Sequence, residues 1–147
     1  MNKLYVITGA CGHLGGTLIR MLKKKNVQIR GLILPNETAE NEKNLTYYHG
    51  DVTQKESLKP LFENTHADQV IVIHTAGLID ISDQMSKRLY DVNVIGTRNI
   101  VTLCKEFGVS KLVYVSSVHA IPEKPDNQVL SEIKSFSAEK VIGGYAK

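Results

Sequence analysis

The feature that most restricts the fold is a strand-like apolar run that ends on three regularly spaced glycines. The run KLYVITG is followed at once by ACGHLG, so that Gly9, Gly12 and Gly15 open an amphipathic helical pattern. A backbone without Cβ atoms can approach a pyrophosphate closely, and the N-terminus of the next helix stabilises its negative charge. The segment therefore predicts a dinucleotide-binding turn. It is not a P-loop, because the Gly-Lys-Ser/Thr of that motif is absent.

Beyond this turn, short apolar runs alternate with helical patterns. The runs that predict strands span 3–9, 27–34, 45–52, 69–77 and 110–117. The patterns that predict helices span 13–25, 55–65 and 86–108, with Pro60 shifting or kinking the second and Gly108 ending the third. Strict alternation predicts an α/β fold built on a doubly wound parallel sheet, with the ligand at the carboxyl ends of the strands. A polar loop over 118–128 and an unfinished helix around Ala138–Lys147 complete the prediction.

The composition is that of one ordinary globular domain. The chain has 147 residues, of which 42% are hydrophobic and 22% are charged. A net charge of +3 with scattered basic residues argues against a nucleic-acid partner, and no apolar stretch reaches the roughly 18 residues that span a membrane. No metal site is predicted, because neither the two cysteines, Cys11 and Cys104, nor the five histidines have a ligand spacing. With a strand-like N-terminus in place of a signal peptide, we expect a reducing, cytoplasmic location.

Two positions bear on the adenosine end of a bound dinucleotide. The residue that reads the ribose is expected about 20 residues after the glycines, where an acid favours NAD and an arginine favours NADP. The expected positions hold Leu34, Pro35 and Asn36. Because Arg30 lies inside the predicted strand, the choice between NAD and NADP stays open. Asp51, in GDVT, either accepts a hydrogen bond from the adenine amino group or caps the next helix.

Five motifs together resemble a known family. TGACGHLG, GDV, HTAG, NVIGTRNI and LVYVSS occur in the order and spacing of the extended short-chain dehydrogenase/reductases, the NAD-dependent epimerase/dehydratases, over essentially the whole chain. The segment VIHTAGLIDIS is more similar to the dihydroflavonol-reductase and hydroxysteroid-dehydrogenase branch than to the sugar-nucleotide epimerases, which more often carry His-x-Ala-Ala. The resemblance implies that residues 1–147 form an NAD(P)-binding Rossmann domain, incomplete at its C-terminal end and truncated before a substrate domain.

The resemblance also implies a role for residues in each motif. The glycine turn would bind the pyrophosphate through Gly9, Cys11, Gly12, His13, Leu14 and Gly15. The adenine would lie against Asp51 and Val52, and the ribose and nicotinamide against Thr75, Ala76 and Gly77. The catalytic residues would be Asn93, Ser117 and Tyr145. Asn93 matches the helix asparagine that holds a water or a backbone group, and Ser117 matches the residue that hydrogen-bonds the reacting oxygen.

Tyr145 matches the catalytic tyrosine of a Tyr-x-x-x-Lys pair. A free tyrosine has a pKa of about 10, and a lysine one helical turn later lowers this pKa by favouring the phenolate. The chain ends two residues after Tyr145, and Lys147 stands at the wrong spacing to share its helix face. We therefore expect the 147 residues to stop inside the catalytic helix, with Tyr145 frayed and turnover lost.

The leading functional hypothesis is an oxidoreductase that transfers hydride between nicotinamide and an alcohol or ketone. The alternative is a nucleoside-diphosphate-sugar epimerase or dehydratase that uses the same residues on a bound sugar. A third hypothesis is a dinucleotide-sensing regulator without catalysis, which the presence of Ser117 and Tyr145 disfavours. By the same resemblance, the partners are a small-molecule substrate and a second subunit, which would form a homodimer through the helices that carry Asn93 and Tyr145.

Overall fold

Five parallel strands form one sheet in the order β3-β2-β1-β4-β5. The computed structural model describes residues 2–80, 84–124 and 128–147. The strands are β1 Lys3–Thr8, β2 Gln28–Ile33, β3 Leu45–His49, β4 Gln69–His74 and β5 Lys111–Tyr114. The chain moves outward in one direction from β1 and in the other from β4, so a crevice opens between their carboxyl ends. The predicted α/β, doubly wound parallel sheet is confirmed.

Helices connect the strands and cover both faces of the sheet. They are α1 His13–Lys23, α2 Lys55–Leu58, α3 Lys87–Tyr90 and α4 Thr97–Glu106. The turns of 3-10 helix are Lys59–Leu61, Val118–Ala120 and Ala138–Lys140. The predicted effect of Pro60 is confirmed, because α2 tightens into a 3-10 turn where this proline stands in the first turn. Gly108 adopts φ +61° and ends α4, as predicted.

One helical feature has no counterpart in the sequence prediction. Between α3 and α4 the backbone remains helical but widens into a π-helix over Asp91–Gly96, so that 87–106 is one continuous helical segment. A π-helical turn is less stable than an α-helical turn and is found most often at functional sites. The wide turn contains Asn93, one of the three predicted catalytic residues.

The core consists of two apolar layers, one on each face of the sheet. Consecutive residues of β1 point to opposite faces, so Val6 packs with Leu103 of α4 on one side and Ile7 packs with Ile19 of α1 on the other. All four side chains are buried. Fully burying one such side chain stabilises the fold by about 1.5–3 kcal/mol. Both layers end at the carboxyl edge of the sheet, where the crevice opens.

The structure differs from the sequence prediction in several segments. β4 ends at His74 instead of residue 77, β5 ends at Tyr114 instead of residue 117, and the helical turns after β3 end at Leu61 instead of residue 65. β3 ends at His49 instead of residue 52, because the chain turns at Gly50–Val52 toward α2. The predicted helix around Ala138–Lys147 is wrong, since only Ala138–Lys140 forms a single 3-10 turn. Gly143 adopts φ +86° and Gly144 packs against the backbone of Met85. Two glycines in a helix this short cost about 1 kcal/mol each, which the few helical hydrogen bonds do not offset.

Parts of two predicted segments lie outside the described residues. These are 81–82 of the motif VIHTAGLIDIS and 125–127 of the polar loop 118–128. Across the ranges 2–80, 84–124 and 128–147, no helix is long and apolar enough to cross a membrane.

Candidate functional site

The glycine turn after β1 is packed too tightly for any side chain at two of its positions. Gly9 has φ +66°, and a Cβ there would lie 3.0 Å from both N and Cα of Ala76. A Cβ on Gly15 would lie 2.2 Å from the carbonyl oxygen of Gly9. Gly12, the N-cap of α1, donates its N–H to the same oxygen at 3.0 Å. The turn thereby holds the N-terminus of α1 beside the segment that follows β4.

The N-terminal turn of α1 is open toward the crevice. Gly12 has no side chain to accept from the first N–H groups of α1, and no acidic residue lies in its first turn. The first N–H groups of a helix have no partner within the helix and carry a partial positive charge. This end of α1 can therefore bind an anion such as a pyrophosphate. Leu14 is 42% exposed here, beside the opening.

Two cavities join at the glycine turn and form one cleft along the carboxyl edge of the sheet. The β2-side cavity, of about 820 Å³, is bounded by the ends of β2 and β3 and by the start of α3. The β5-side cavity, of about 640 Å³, is bounded by α1, the π-helical turn, the end of β5 and the last residues. Both are lined by Gly9, Gly12, Thr75, Ala76 and Gly77. The predicted dinucleotide residues at these five positions therefore share one surface.

Thr8, the last residue of β1, fastens the glycine turn to the end of β4. Its hydroxyl oxygen accepts hydrogen bonds from the N–H groups of Thr75 at 3.1 Å and Ala76 at 3.0 Å. A hydroxyl has one proton, which Thr8 donates to Nδ1 of His74 at 2.7 Å. The hydroxyl of Thr75 in turn donates to the carbonyl oxygen of Thr8 at 2.6 Å. The backbone of 75–76 is thus fixed where the cleft narrows.

The same contacts determine the tautomer of His74. Since Nδ1 accepts from Thr8, the ring proton is on Nε2, which lies 3.1 Å from the hydroxyl oxygen of Thr97. Thr97 donates its own proton to the carbonyl oxygen of Asn93 at 2.6 Å. Burial lowers the pKa of His74 to about 4, so the ring is neutral, as this chain of hydrogen bonds requires. His74 is 1% exposed at the end of β4.

The motif NVIGTRN holds the backbone of two loops. The side chain of Asn93 accepts from the N–H of Leu78 and donates to its carbonyl oxygen, both at 2.8 Å. Asn99 donates to the carbonyl oxygen of Val52 at 2.8 Å. A Cβ on Gly96 would lie 2.6 Å from the side chain of Val52, so only glycine allows this approach. The helical segment therefore positions the loops after β3 and β4, which both line the β2-side cavity.

Asp51 has a structural role that neither of its two predicted alternatives describes. Its carboxylate accepts from the N–H of Thr53 at 2.8 Å and closes the turn after β3. The N-cap of α2 is Gln54, so the prediction that Asp51 caps this helix is wrong. Asp51 lines the β2-side cavity. Val52 beside it is 6% exposed and belongs largely to the core.

The three predicted catalytic residues, Asn93, Ser117 and Tyr145, all line the β5-side cavity. The hydroxyl of Ser117 accepts from the N–H of His119 at 3.3 Å. The ring of Tyr145 meets the ring of His119 edge to face at a centroid distance of 6.0 Å. Tyr145 is half-buried, although no helix forms around it. Lys147 lines the same cavity, and without a helix the spacing argument against it does not apply.

Other predicted site residues divide between the two cavities. His13 and Leu14 line the β5-side cavity. Cys11 is exposed at the tip of the turn and lines neither cavity. Burial and the nearby Glu37 carboxylate both raise the pKa of its thiol. Among the described residues, no three potential ligands lie close enough to hold a metal ion.

Sequence reasoning missed several residues that build this site. They are the hydrogen-bonding residues Thr8, Thr97 and Asn99, the close-packed Gly96, and His74 as a hydrogen-bonding residue. Thr97 and Asn99 stand inside the motif NVIGTRNI, whose unusual density of polar and small residues within a helix was the available signal. Thr8 and His74 are 66 residues apart, and no local pattern connects them.

The fold and the cleft define a class of protein. A doubly wound parallel sheet with a glycine turn after its first strand agrees with the resemblance to the extended short-chain dehydrogenase/reductases. The sequence profile of the 3-beta hydroxysteroid dehydrogenase/isomerase family matches residues 6–139. The chain belongs to this family, which confirms the predicted family and branch.

Individual relatives agree with this placement. The chain is 34% identical over 127 residues to 3 beta-hydroxysteroid dehydrogenase type 7 of Mus musculus, covering 80% of this chain and 33% of the relative. It is 37% identical over 130 residues to the decarboxylating sterol-4-alpha-carboxylate 3-dehydrogenase of Schizosaccharomyces pombe, covering 82% and 35%. UDP-glucose 4-epimerase of Thermus thermophilus, solved in complex with NAD, has the same fold, with a TM-score of 0.76 and 22% identity over 97% of this chain and 46% of that chain. The chain thus spans about a third of the length of these curated relatives.

Proposed function

We propose that this chain is the dinucleotide-binding part of an NAD(P)-dependent dehydrogenase or reductase that acts on an alcohol or ketone. The observation that carries the proposal is the continuous cleft, which extends from the β2-side cavity past the glycine turn to Ser117 and Tyr145. The two relatives named above are dehydrogenases by name. NAD(P), when bound, supplies or accepts the hydride.

The residues of the cleft fit such a cofactor. The first N–H groups of α1, with Gly9 and Gly12 beneath them, would hold the pyrophosphate. Asp51 would accept from the adenine amino group at the far end of the β2-side cavity. The segment 75–77, held by Thr8, would flank the ribose and nicotinamide where the two cavities meet.

The catalytic steps proposed for this chain concern one oxygen of the substrate. Ser117 would hydrogen-bond this oxygen, and Tyr145 would give or take its proton. A tyrosine with a pKa of about 10 needs a cation close by to act at neutral pH. By the family resemblance, this cation is a lysine four residues after Tyr145, and the 147 residues do not include it. We propose that these residues alone bind the dinucleotide without turning over substrate.

Asn93 is proposed as a positioning residue. Its side chain makes hydrogen bonds with both the N–H and the carbonyl oxygen of Leu78. Its backbone carbonyl oxygen accepts from the hydroxyl of Thr97. It therefore orients the segment after β4, which lies between the cofactor and the substrate side of the cleft. The resemblance implies this role, because the matching asparagine of the family holds a water or a backbone group.

Three further features complete the proposal. We propose a homodimer formed through the helical segment 87–106, as the resemblance implies. The two cysteines are free thiols, which suits the cytoplasm that the sequence predicts. The proposed partner at the site is a small molecule, and no nucleic-acid partner is proposed.

Dinucleotide binding can be tested with two glycine variants. Gly12→Val places a branched side chain in the turn, where even a Cβ would lie 3.1 Å from the Gly9 carbonyl oxygen. We expect it to weaken NAD or NADP binding by about tenfold or more, because the pyrophosphate can no longer approach the backbone. Gly16→Ala is the control, since a Cβ there has its nearest neighbour at 3.5 Å and the residue lines neither cavity. Titration calorimetry gives both affinities.

Unchanged affinity in a folded Gly12→Val variant would contradict the assignment of the turn. The reaction itself is tested by a substrate screen on the full-length gene product, following NAD(P)H absorbance. Turnover of alcohols or ketones supports the dehydrogenase. Turnover of nucleoside-diphosphate sugars alone would support the epimerase or dehydratase instead.

A further inference from the structure

One histidine contacts both Ser117 and Tyr145 on the β5 side of the cleft. It is His119, the middle residue of the 3-10 turn Val118–Ala120 that follows β5. Its backbone N–H donates to the hydroxyl oxygen of Ser117 at 3.3 Å. Its ring meets the ring of Tyr145 at a centroid distance of 6.0 Å. One residue thus connects the two proposed catalytic side chains, one through its backbone and the other through its side chain.

The backbone contact orients the hydroxyl of Ser117. Ser117 is the N-cap of the 3-10 turn, and the N–H of Ala120 donates to its carbonyl oxygen at 3.1 Å. A serine hydroxyl has one proton to donate and two lone pairs that accept. Because the oxygen accepts from the N–H of His119, the hydroxyl keeps its proton for donation to a substrate oxygen. This contact uses no side-chain atom of His119, so it does not depend on the residue type at position 119.

The ring contact acts on a side chain whose backbone is already packed. Ala146 is 7% exposed, and a Cβ on Gly144 would lie 2.6 Å from the backbone nitrogen of Met85. The side chain of Tyr145 can still occupy several rotamers on this backbone. The rings of His119 and Tyr145 meet edge to face at 69°, an arrangement that aromatic pairs prefer over a parallel sandwich. The contact therefore favours one direction for the hydroxyl of Tyr145.

The side chain of His119 contacts Tyr145 from outside the β5-side cavity. Ser117, Ala120 and Tyr145 line this cavity, whereas His119 does not. The residue is exposed to solvent and does not belong to the core. Its position therefore suits a residue that acts through Tyr145 and not one that touches a substrate.

We infer that His119 is a positioning residue, which holds the hydroxyls of Ser117 and Tyr145 so that both reach the same substrate oxygen. Proton transfer needs the hydroxyl within about 2.6–3.2 Å of the reacting atom. A misplacement of about 1 Å can lower the rate by about a hundredfold. The inference rests on the proposed function, since Ser117 and Tyr145 are catalytic residues only within it.

Two substitutions of His119 separate the ring contact from the backbone contact. His119→Ala removes the ring and keeps the N–H from which Ser117 accepts. His119→Phe keeps an aromatic ring that can meet Tyr145 edge to face. His66→Ala is the matched control, because His66 is an exposed histidine in the loop before β4 and lines neither cavity. All three are made in the full-length gene product, and kcat and KM are measured with the best alcohol or ketone from the substrate screen.

We expect His119→Ala to lower kcat by about 3–10-fold with little change in KM, because the ring contact acts on the geometry of proton transfer. His119→Phe should restore most of the lost kcat, and His66→Ala should leave kcat unchanged. The dinucleotide affinity, measured by titration calorimetry, should be the same in all variants, since His119 lines neither cavity. Urea unfolding should also be unchanged, which distinguishes positioning from a general loss of stability.

Several results would overturn the inference. An unchanged kcat in His119→Ala would show that the ring does not position Tyr145, and it would leave the proposed function intact. A raised KM with kcat retained would assign His119 to substrate binding instead. Equal losses in His119→Ala and His119→Phe would assign the effect to the imidazole nitrogens. A wild-type protein that turns over no alcohol or ketone would overturn the inference together with the proposed function.

Discussion

Adjacent strands of the same sheet differ sharply in burial. Val72 of β4 is 0% exposed, whereas Val113 of β5 is 38% exposed and Tyr114 is 53% exposed. Both strands are parallel, rich in apolar residues and hydrogen-bonded to one another, with Ile73 opposite Val113. The difference arises because the residues of β4 lie under α4 and between two strands, whereas β5 is an edge strand. An apolar strand sequence permits burial, but its neighbours in the fold provide it.

The two cavities of the cleft also differ, in the number of contacts that hold the residues around them. The β2-side cavity is held by several independent contacts, among them the bidentate Asn93, Asn99 and the hydroxyl of Thr8. In the β5-side cavity, Ser117 has a contact of 3.3 Å with its neighbour His119, which also meets the ring of Tyr145. The part proposed to bind the dinucleotide is held by contacts from several elements. Ser117 and Tyr145, in the other part, have fewer contacts to hold them.

The largest effect is expected at the contact between the glycine turn and α1. Gly15→Ala places a Cβ 2.2 Å from the Gly9 carbonyl oxygen, a backbone atom that cannot rotate away. We expect a loss of about 3 kcal/mol in the free energy of unfolding, the upper part of the usual range for overpacking. Gly16→Ala is the matched control, because its Cβ would have the Ala10 carbonyl oxygen as its nearest neighbour at 3.5 Å. Alanine in this helix should stabilise by up to about 1 kcal/mol.

Urea unfolding followed by circular dichroism measures both variants. The two neighbouring substitutions should change stability in opposite directions. A Gly15→Ala protein as stable as the wild type would show that the turn is not packed as described, and the contrast between the two parts of the molecule would disappear.

A second effect on stability, similar in size, comes from the titration of His74 and depends on pH. Burial lowers its pKa to about 4 in the folded chain, against about 6.5 in the unfolded chain. Between these values the unfolded chain binds a proton that the folded chain does not, so stability falls as the pH falls from 6.5 to 4. The loss in the free energy of unfolding that is due to His74 should approach about 3 kcal/mol at pH 4. Above pH 6.5 this loss should vanish.

His74→Gln isolates this contribution, because glutamine retains a donor toward Thr97 but does not titrate. Urea unfolding at a series of pH values should give a weaker pH dependence for this variant than for the wild type. Parallel curves would show that His74 is not a buried neutral histidine.

The contrast between the two strands is tested most directly by one substitution made in each. Val72→Ala removes a fully buried side chain and should cost about 2–3 kcal/mol, from lost burial and the cavity left behind. Val113→Ala should cost less than about 1 kcal/mol, because that side chain is partly in water. The residue type and the substitution are the same, so only the surroundings differ. Equal losses would mean that β5 is covered in solution, for example by a second copy of the chain.

Periodicity was enough to predict most of the fold. The alternation of apolar runs with helical patterns identified all five strands and placed the ligand crevice at their carboxyl ends. β1 and α1 were predicted to within two residues, because a run rich in β-branched residues that ends at Gly9 can form few structures other than a strand and a turn. The prediction failed at residues 138–147, where the expected helix contains two glycines that do not support it.

The candidate site was predicted in part. The glycine turn, Thr75–Gly77, Asn93, Ser117 and Tyr145 do share one cleft, as the resemblance implied. The packing of Gly96, at the end of the π-helical turn, against Val52 was not predictable, because the two residues are 44 positions apart in the chain.

The sequence by itself determined the order of strands and helices, the position of the glycine turn and the family. These follow from short-range patterns, since side chains alternate along a strand, repeat around a helix, and leave only glycine where a Cβ has no room. Only the tertiary structure decided that Thr8, His74, Thr97 and Asn93 form one chain of hydrogen bonds. It also decided that β5 is partly exposed while β4 is buried. Those outcomes depend on which groups from distant parts of the chain come into contact, and hydrogen-bond partners and burial are set by that contact.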